Sequence, residues 1–171
     1  MRLYLIGYMG AGKSTVAKVL SRELGIKNLD LDQQIEQIEG RTIPEIFAQD
    51  GEQRFREIER DTLRQVSQEN PDAIISLGGG TPCFYDSMDY VIENGVAIYL
   101  KLEPKMLVNR LLNAKGKRPL IEGKTPDELR VFIEEQLSGR EIYYNRAQIV
   151  VDNSSRNIQP LLLALDYFKK K

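Results

Sequence analysis

The chain of 171 residues contains no histidine and only one cysteine, Cys83. Without histidine, no imidazole is available as a general base, as a phosphorylated group or as a metal ligand. A single thiol can form neither an internal disulfide nor a thiolate zinc site, which fits a reducing cytoplasm. Any bound metal is therefore expected to have oxygen ligands, which suits Mg²⁺, and any protein base is expected to be an aspartate or a glutamate.

Long apolar runs and an excess of one charge are also missing. No run approaches the roughly 20 apolar residues of a membrane-spanning helix, and no signal-peptide pattern precedes the first apolar segment. The formal net charge of −1 indicates no general affinity for nucleic acids. Because repeats and linkers are absent too, we expect a single domain, residues 1–171. We also expect a cytoplasmic monomer without a membrane partner.

The most specific motif is the string GYMGAGKS at residues 7–14, which fits the phosphate-binding P-loop pattern Gly-x4-Gly-Lys-Ser/Thr. It lies between an apolar run at residues 3–6 and a helical pattern, which is the context that the motif requires. Its glycines allow backbone N–H groups to surround phosphate oxygens, and the positive end of the next helix faces the same anion. Lys13 can reach the β- and γ-phosphates, and Ser14 can hold Mg²⁺. The motif predicts a nucleoside triphosphate site with contacts from Gly10, Ala11, Gly12, Lys13, Ser14 and Thr15.

Strand-like and helix-like patterns alternate along the whole chain. The predicted strands cover residues 3–6, 28–31, 73–77, 96–100 and 148–151. The predicted helices cover residues 12–24, 33–39, 42–49, 104–112, 125–143 and 158–168. A further helix is predicted to follow a break at Asp50-Gly51 and to end at about residue 68. This order predicts an α/β protein with a three-layer α/β/α fold and a five-stranded parallel sheet that has helices on both faces. In such sheets the ligand lies beyond the C-terminal ends of the strands.

Two aspartates, Asp30 and Asp32, stand in the string LDLD at residues 29–32. If this string is a strand, its alternation places both carboxylates on one side. One carboxylate could then orient Mg²⁺, and the other could accept a proton from an attacking hydroxyl. The alternative is that Asp32 only caps the next helix.

Three consecutive glycines, Gly78, Gly79 and Gly80, end a predicted strand. Such a run permits close approach of a ligand to the backbone and offers N–H donors. The alternative is an ordinary flexible turn between a strand and a helix.

Several arginines offer positive charge for a ligand. Arg54, Arg56 and Arg60 lie on a predicted helix among glutamates at a spacing of three or four residues. From the sequence alone, a solvated, salt-bridged helix face is the favoured interpretation, and a fork that grips a substrate carboxylate is the alternative. Arg118 lies in a polar segment, residues 113–124, that is either a mobile lid over the nucleotide or a surface loop.

These motifs, in this order, resemble those of shikimate kinase, a P-loop small-molecule kinase of the nucleoside monophosphate kinase-like group. The resemblance covers nearly the whole chain from Leu3 to Asp152. It rests on the strings GYMGAGKST at residues 7–15, LDLD at 29–32, DGEQRFREIE at 50–59, LGGG at 77–80 and RPL at 118–120, and on Arg140 before Tyr143.

The resemblance implies transfer of the γ-phosphoryl group of ATP to the 3-hydroxyl of shikimate, a step toward chorismate and the aromatic amino acids. On the nucleotide side, it implies that Lys13 and Arg118 neutralise the phosphates, that Ser14 and Asp30 position Mg²⁺, and that Arg110 lies against adenine. The segment at residues 153–158 lacks the proline that the family often has after its last strand.

On the acceptor side, the resemblance implies that Asp32 binds shikimate hydroxyls and acts as the base or assists it. Arg56 and Arg140 would pair with the shikimate carboxylate, Glu59 would support the site, and Gly78, Gly79 and Gly80 would border the substrate. The substrate-binding helices are expected at about residues 31–60 and the lid at about residues 113–124.

Two other functions are alternatives. A kinase of another small hydroxy acid, such as gluconate, would share the P-loop. A nucleotide-binding regulatory switch would be expected to carry the guanine motif Asn-Lys-x-Asp, and the nearest string, Asn113-Ala114-Lys115-Gly116, does not fit it.

Overall fold

The computed structural model describes residues 1–113, 121, 123–155 and 157–169. Its strands are β1 Arg2–Ile6, β2 Lys27–Asp30, β3 Ala73–Ser76, β4 Val96–Lys101 and β5 Ile149–Asp152. Its helices are α1 Lys13–Leu24, α2 Leu31–Glu39, α3 Ile43–Glu69, α4 Ser87–Asn94, α5 Pro104–Leu112, α6 Pro126–Tyr144 and α7 Gln159–Lys169. None of these described helices is both long enough and apolar enough to span a membrane.

The five strands form one parallel sheet in the order β2-β3-β1-β4-β5. Its central strands β1, β3 and β4 are continuous apolar runs, because helices cover both faces of a parallel sheet. In the register of the sheet, Ser76 at the end of β3 lies between Leu5 of β1 and Asp30 of β2. The prediction of a three-layer α/β/α fold with a five-stranded parallel sheet is confirmed.

The ends of the helices follow local sequence signals. Thr42 and Glu45 at the start of α3, and Thr125 and Glu128 at the start of α6, form reciprocal capping boxes. The predicted break at Asp50-Gly51 is a bend within α3, because Gly51 has φ 79° and ψ 173°. Thr81–Cys83 forms a short 3-10 helix, and this turn and α4 were not predicted from the sequence.

One predicted boundary is wrong, at residues 28–33. Strand β2 ends at Asp30 and α2 begins at Leu31, so Asp32 lies in the first turn of a helix and not in a strand. Asp30, rather than Asp32, is the N-cap: its Oδ1 accepts hydrogen bonds from the backbone N–H groups of Asp32 (3.1 Å) and Gln33 (3.5 Å). A capping carboxylate here satisfies N–H groups that the helix itself leaves unpaired.

Candidate active site

The P-loop connects β1 to α1 and depends on glycine at two close contacts. Gly12 caps α1 with φ 97°, and a Cβ atom there would lie 2.9 Å from Nδ2 of Asn153. Gly7 has φ 142°, and its Cβ would lie 2.8 Å from the carbonyl oxygen of Leu100. Any other residue would combine a strained backbone with a collision, so the loop needs both glycines.

Lys13 crosses the P-loop from the first turn of α1. Its Nζ donates hydrogen bonds to the carbonyl oxygens of Gly7 (2.7 Å) and Tyr8 (3.2 Å). The ammonium group is therefore held over the mouth of the loop, where the phosphates of a nucleotide would lie.

A cavity of about 630 Å³ opens beside the P-loop, a size that suits a nucleotide. Three parts of the chain line it: the P-loop with α1, the end of α5, and the loop after β5. The lining residues are Gly10, Gly12, Lys13, Ser14, Thr15, Val16, Val19, Asn109, Arg110, Asn113, Asn153 and Ile158. Among the described residues, the predicted nucleotide-binding residues therefore line one cavity, with the exception of Ala11.

Asn153 ties the loop after β5 to the P-loop. Its buried Nδ2 donates to the carbonyl oxygen of Ala11 (2.7 Å). Arg110 donates to the carbonyl oxygens of Ala11 (3.2 Å) and Asn153 (2.8 Å). This loop lacks the proline that the resemblance led us to expect, and its contact with the P-loop is made by Asn153, a residue that the sequence did not single out.

The glycines that follow β3 lie against three different side chains. A Cβ at Gly78 would be 3.0 Å from Oδ1 of Asp32, and one at Gly79 would be 3.1 Å from a guanidinium nitrogen of Arg140. At Gly80, the Cβ would be 2.8 Å from a guanidinium nitrogen of Arg56. The glycine run is thus the point where residues from α2, α3 and α6 converge, and side chains there would displace them.

Arg56 is the one arginine of its group that lies in this site. Its side chain is 13% exposed, and it donates to Oε2 of Glu59 (2.8 Å) and to Oε1 of Glu52 (3.2 Å). Arg54 and Arg60 instead pair with Glu57 and Asp61, which are within four residues of them on the same helix. Arg54 and Arg60 therefore fit the solvated, salt-bridged interpretation of the sequence. Arg56 is also ion-paired within the helix, but it lies against the glycine run, which is the position that a carboxylate-binding role requires.

Glu59 joins α3 to the glycine run. It is 2% exposed, and its Oε1 accepts a hydrogen bond of 2.6 Å from Oγ1 of Thr81 while Oε2 accepts from Arg56. The buried Glu59 carboxylate holds Arg56 in place, because loss of this ion pair would leave a buried charge without an opposite charge beside it. Glu59 thereby sets the position of Arg56.

Arg140 approaches from α6 beside two tyrosines. Its guanidinium lies 5.4 Å from the ring centre of Tyr8, and the hydroxyl of Tyr144 donates to the carbonyl oxygen of Gly79. Burial raises the pKa of Tyr144, so the hydroxyl remains a donor at all physiological pH values. Sequence spacing alone could not assign Tyr144, although it lies four residues after Arg140, on the same face of α6.

Asp32 sits in a concentration of negative charge. Burial, followed by the charges of Asp30 and Glu59, raises the pKa of Asp32 from 3.8 to about 6, and the charge of Lys13 opposes that change. A carboxyl group with a pKa near neutrality can accept and release a proton under physiological conditions.

Ser76 offers an oxygen next to Asp30. Its buried Oγ has no hydrogen-bond partner among the described residues, and it is paired with Asp30 in the register of the sheet. In the described part of the chain no three acidic or thiol side chains are grouped to hold a metal. Mg²⁺ commonly uses one or two carboxylates together with water and substrate phosphates. Asp30 offers such a carboxylate, and Ser76 beside it and Ser14 in the P-loop offer hydroxyl oxygens.

Arg118 and most of the expected lid lie outside the described residues. Among the rest, the structure brings Asp32, Arg56, Glu59 and Arg140 to one edge of the sheet, around the run of residues 78–80.

Comparisons with known proteins agree with this geometry. A family model described as shikimate kinase matches residues 9–165. Shikimate kinase of Bacteroides fragilis is 45% identical over 150 residues, which cover 88% of this chain and 83% of the relative. Shikimate kinase of Azobacteroides pseudotrichonymphae is 43% identical over 149 residues, 87% of this chain and 88% of the relative.

Solved structures are similar over the whole chain. The crystal structure of shikimate kinase from Bacteroides thetaiotaomicron has a TM-score of 0.90 at 37% identity and covers 100% of this chain and 99% of its own. The solved structure of shikimate kinase from Acinetobacter baumannii in complex with shikimate has a TM-score of 0.84 at 29% identity and covers 99% of this chain and 94% of its own. A gluconokinase from Sinorhizobium meliloti, at 15% identity and a TM-score of 0.56 over 90% of this chain and 82% of its own, shares only the fold. The chain therefore belongs to the shikimate kinase family, whose members use ATP as the phosphate donor.

Proposed function

We propose that the chain transfers the γ-phosphoryl group of ATP to the 3-hydroxyl of shikimate, which yields shikimate 3-phosphate and ADP on the route to chorismate. The observation that carries this proposal is a second, cationic site beside the P-loop. Arg56 and Arg140 lie against Gly80 and Gly79, and Asp32 lies against Gly78. The two guanidinium groups would suit the carboxylate of a small acid. The carboxyl group of Asp32 would suit hydroxyls on the same molecule.

On the nucleotide side, the cavity beside the P-loop would hold ATP. Backbone N–H groups of the P-loop would bind its phosphates, and Lys13 would neutralise charge on the transferring group. Arg110, which already contacts Ala11 and Asn153, would lie on the adenine side. Arg118 is proposed to add positive charge from a lid at residues 113–124.

On the acceptor side, Arg56 and Arg140 would pair with the shikimate carboxylate. Such planar, charge-assisted pairs fix orientation as well as affinity. Orientation matters here because phosphoryl transfer depends mainly on positioning the nucleophile in line with the γ-phosphorus.

Asp32 would accept the proton of the attacking hydroxyl. A pKa of about 6 leaves most of the carboxyl groups deprotonated at neutral pH, while it keeps the group basic enough to share the proton. Its place against Gly78 puts it next to the proposed acceptor site.

The donor set at the P-loop also supports Mg²⁺ as a cofactor. Ser14 and Asp30 would hold the ion, and the buried hydroxyl of Ser76 would form a hydrogen bond with one of its water ligands. When bound, the ion would neutralise charge on the phosphates. We further propose that the protein is a single-domain cytoplasmic monomer whose substrate-binding helices lie at about residues 31–60.

The decisive experiment measures ADP release with a panel of hydroxy acids that includes shikimate and gluconate, with and without EDTA. We expect saturable turnover on shikimate, little on gluconate, and loss of turnover in EDTA that added Mg²⁺ restores. Phosphorus NMR of the product should show one new phosphomonoester. No turnover on shikimate above the background with ATP alone would show that the proposal is wrong.

A further inference from the structure

We propose that Phe84 is a positioning residue for Arg56 and thereby sets the affinity of the chain for the substrate carboxylate; this inference rests on the function proposed above. The half-buried ring of Phe84 lies with its centre 4.0 Å from the guanidinium carbon of Arg56. The ring of Phe55 lies farther away, at 5.0 Å. Phe84 thus provides the closer aromatic face for the guanidinium.

Hydrogen bonds alone leave part of Arg56 unconstrained. A guanidinium carries five N–H donors. Bonds to Glu52 and Glu59 account for three of them among the described residues, all in the plane of the group. In-plane bonds do not prevent the plane from tilting, whereas an aromatic face 4.0 Å away does. The remaining donors can then meet both oxygens of a carboxylate at once, which requires a defined plane.

The segment that carries Phe84 is itself held against α3. Arg56, Arg60 and Arg64 repeat every four residues, so they form one row on the helix. Phe84, Tyr85 and Asp86 meet this row in the same order. The ring centre of Tyr85 lies 5.0 Å from the guanidinium carbon of Arg60. Both carboxylate oxygens of Asp86 accept hydrogen bonds of 2.6 Å from Arg64.

Tyr85 gives this segment its unusual shape. It has φ 53°, and it is the one residue other than glycine in the described part of the chain with a positive φ. Such a conformation is costly for a tyrosine and persists only where its surroundings compensate. The contacts on either side, to Arg56 and to Arg64, supply that compensation, so the position of Phe84 is determined by the row as a whole.

The test replaces the aromatic face while keeping apolar volume. Phe84→Leu and Phe84→Met should raise KM for shikimate about 3- to 10-fold, while kcat and KM for ATP change less than about twofold. Phe84→Tyr keeps the aromatic ring, so its KM for shikimate should stay within about twofold of the wild-type value. The matched control is Tyr167→Leu, which removes an exposed ring on α7 that packs on Phe168, outside the arginine row, and should leave all three constants unchanged.

Different results overturn different claims. A wild-type protein without turnover on shikimate would overturn the proposed function, and this inference with it. Turnover by the wild type together with an unchanged KM for shikimate in both Phe84→Leu and Phe84→Met would overturn only the role of Phe84. Equal increases of the KM for shikimate and the KM for ATP would also overturn that role. So would a KM for shikimate in Phe84→Tyr that is as high as in the Leu and Met variants. A thermal melt of each variant identifies any that does not fold, and the second apolar variant then decides the outcome.

Discussion

At the scale of single residues, Asp32 shows how burial and neighbouring charges raise the pKa of an aspartate. It shares a small volume with Asp30 and Glu59, and only Lys13 offsets their charge. Because these carboxylates disfavour another negative charge, the pKa of Asp32 rises to about 6. The same surroundings therefore make the Asp32 carboxylate a stronger base and also lower the free energy of unfolding when it is charged.

The first prediction concerns activity. Asp32→Asn should lower kcat by about 10²–10⁴-fold, because an amide cannot accept the hydroxyl proton. In the wild type, kcat/KM for shikimate should fall as the pH falls through about 6, since protonation removes the base. Steady-state rates between pH 5 and pH 8 check both points, and the variant should lack this acid limb. A loss of less than about tenfold would mark Asp32 as an orienting group only.

The second prediction concerns stability. The folded protein binds the proton of Asp32 more tightly than the unfolded chain does, because the pKa is about 6 when folded and 3.8 ordinarily. The free energy of unfolding therefore decreases as the pH rises through this window and stays lower above it. The difference amounts to at most about 3 kcal/mol.

Asp32→Asn removes the buried negative charge, so it should be more stable than the wild type at pH 8, with a smaller advantage at pH 5. Urea unfolding at both pH values measures this. A variant that is less stable than the wild type at pH 8 would contradict the prediction.

At the scale of secondary-structure elements, a bend at Gly51 divides α3, the helix that carries Arg56. Gly51 separates the first turns of the helix from the part that carries Arg56, and Phe47 packs on Phe55 across the bend with ring centres 4.5 Å apart. Arg41 donates to Asp50 at 2.7 Å just before it. The conformation of Gly51, with φ 79° and ψ 173°, is one that only glycine adopts readily.

This predicts opposite effects for two glycine substitutions. A Cβ would meet no atom within 4 Å at Gly51 or at Gly139 in α6, so the two sites differ in backbone conformation and not in space. Gly51→Ala should lower the free energy of unfolding by about 1–3 kcal/mol. Gly139→Ala should raise it by about 0.5–1 kcal/mol, because alanine favours a helix. Urea denaturation of both variants is the measurement, and destabilisation by both would contradict the argument.

At the scale of the whole molecule, the sheet order places the two groups of candidate site residues next to each other. Strand β1 lies at the centre with β3 and β4 beside it, so the P-loop at the end of β1 borders the glycine run after β3. Helices α3 and α6 then reach that run from different parts of the chain, with Arg56 and Arg140. In the function proposed above, nucleotide and acceptor would therefore bind at separate groups of residues on one edge of the sheet.

Separate sites predict separable ligand effects on thermal stability. For the wild type, shikimate at 100 times its Kd should add about 2.7 kcal/mol and raise Tm by roughly 5–10 °C. Arg56→Ala should abolish most of this shift but keep the shift caused by ATP with Mg²⁺. Arg54→Ala, on an exposed side chain of the same helix that pairs with Glu57, is the control and should keep both. Equal loss of both shifts in Arg56→Ala would remove Arg56 from the acceptor site.

Much of this arrangement could be predicted from local patterns. The P-loop, the alternation of strands and helices, and the break at Gly51 all depend on residues that are neighbours in the sequence. The prediction failed at Asp30 and Asp32, because a four-residue alternation fits the end of a strand and the start of a helix equally well. It also missed Asn153, whose partner Ala11 is 142 residues away.

The sequence by itself determined the nucleotide loop, the class of fold and the family, because glycine positions, apolar periodicity and short motifs act locally. Only the tertiary structure decided which of three arginines enters the site, which side chain each glycine of the run accommodates, and which aromatic ring faces Arg56. Those choices depend on the strand order and on contacts between distant segments, and no local pattern specifies them. The physical reason is that burial and charge at a position come from neighbours in space rather than from neighbours in the chain.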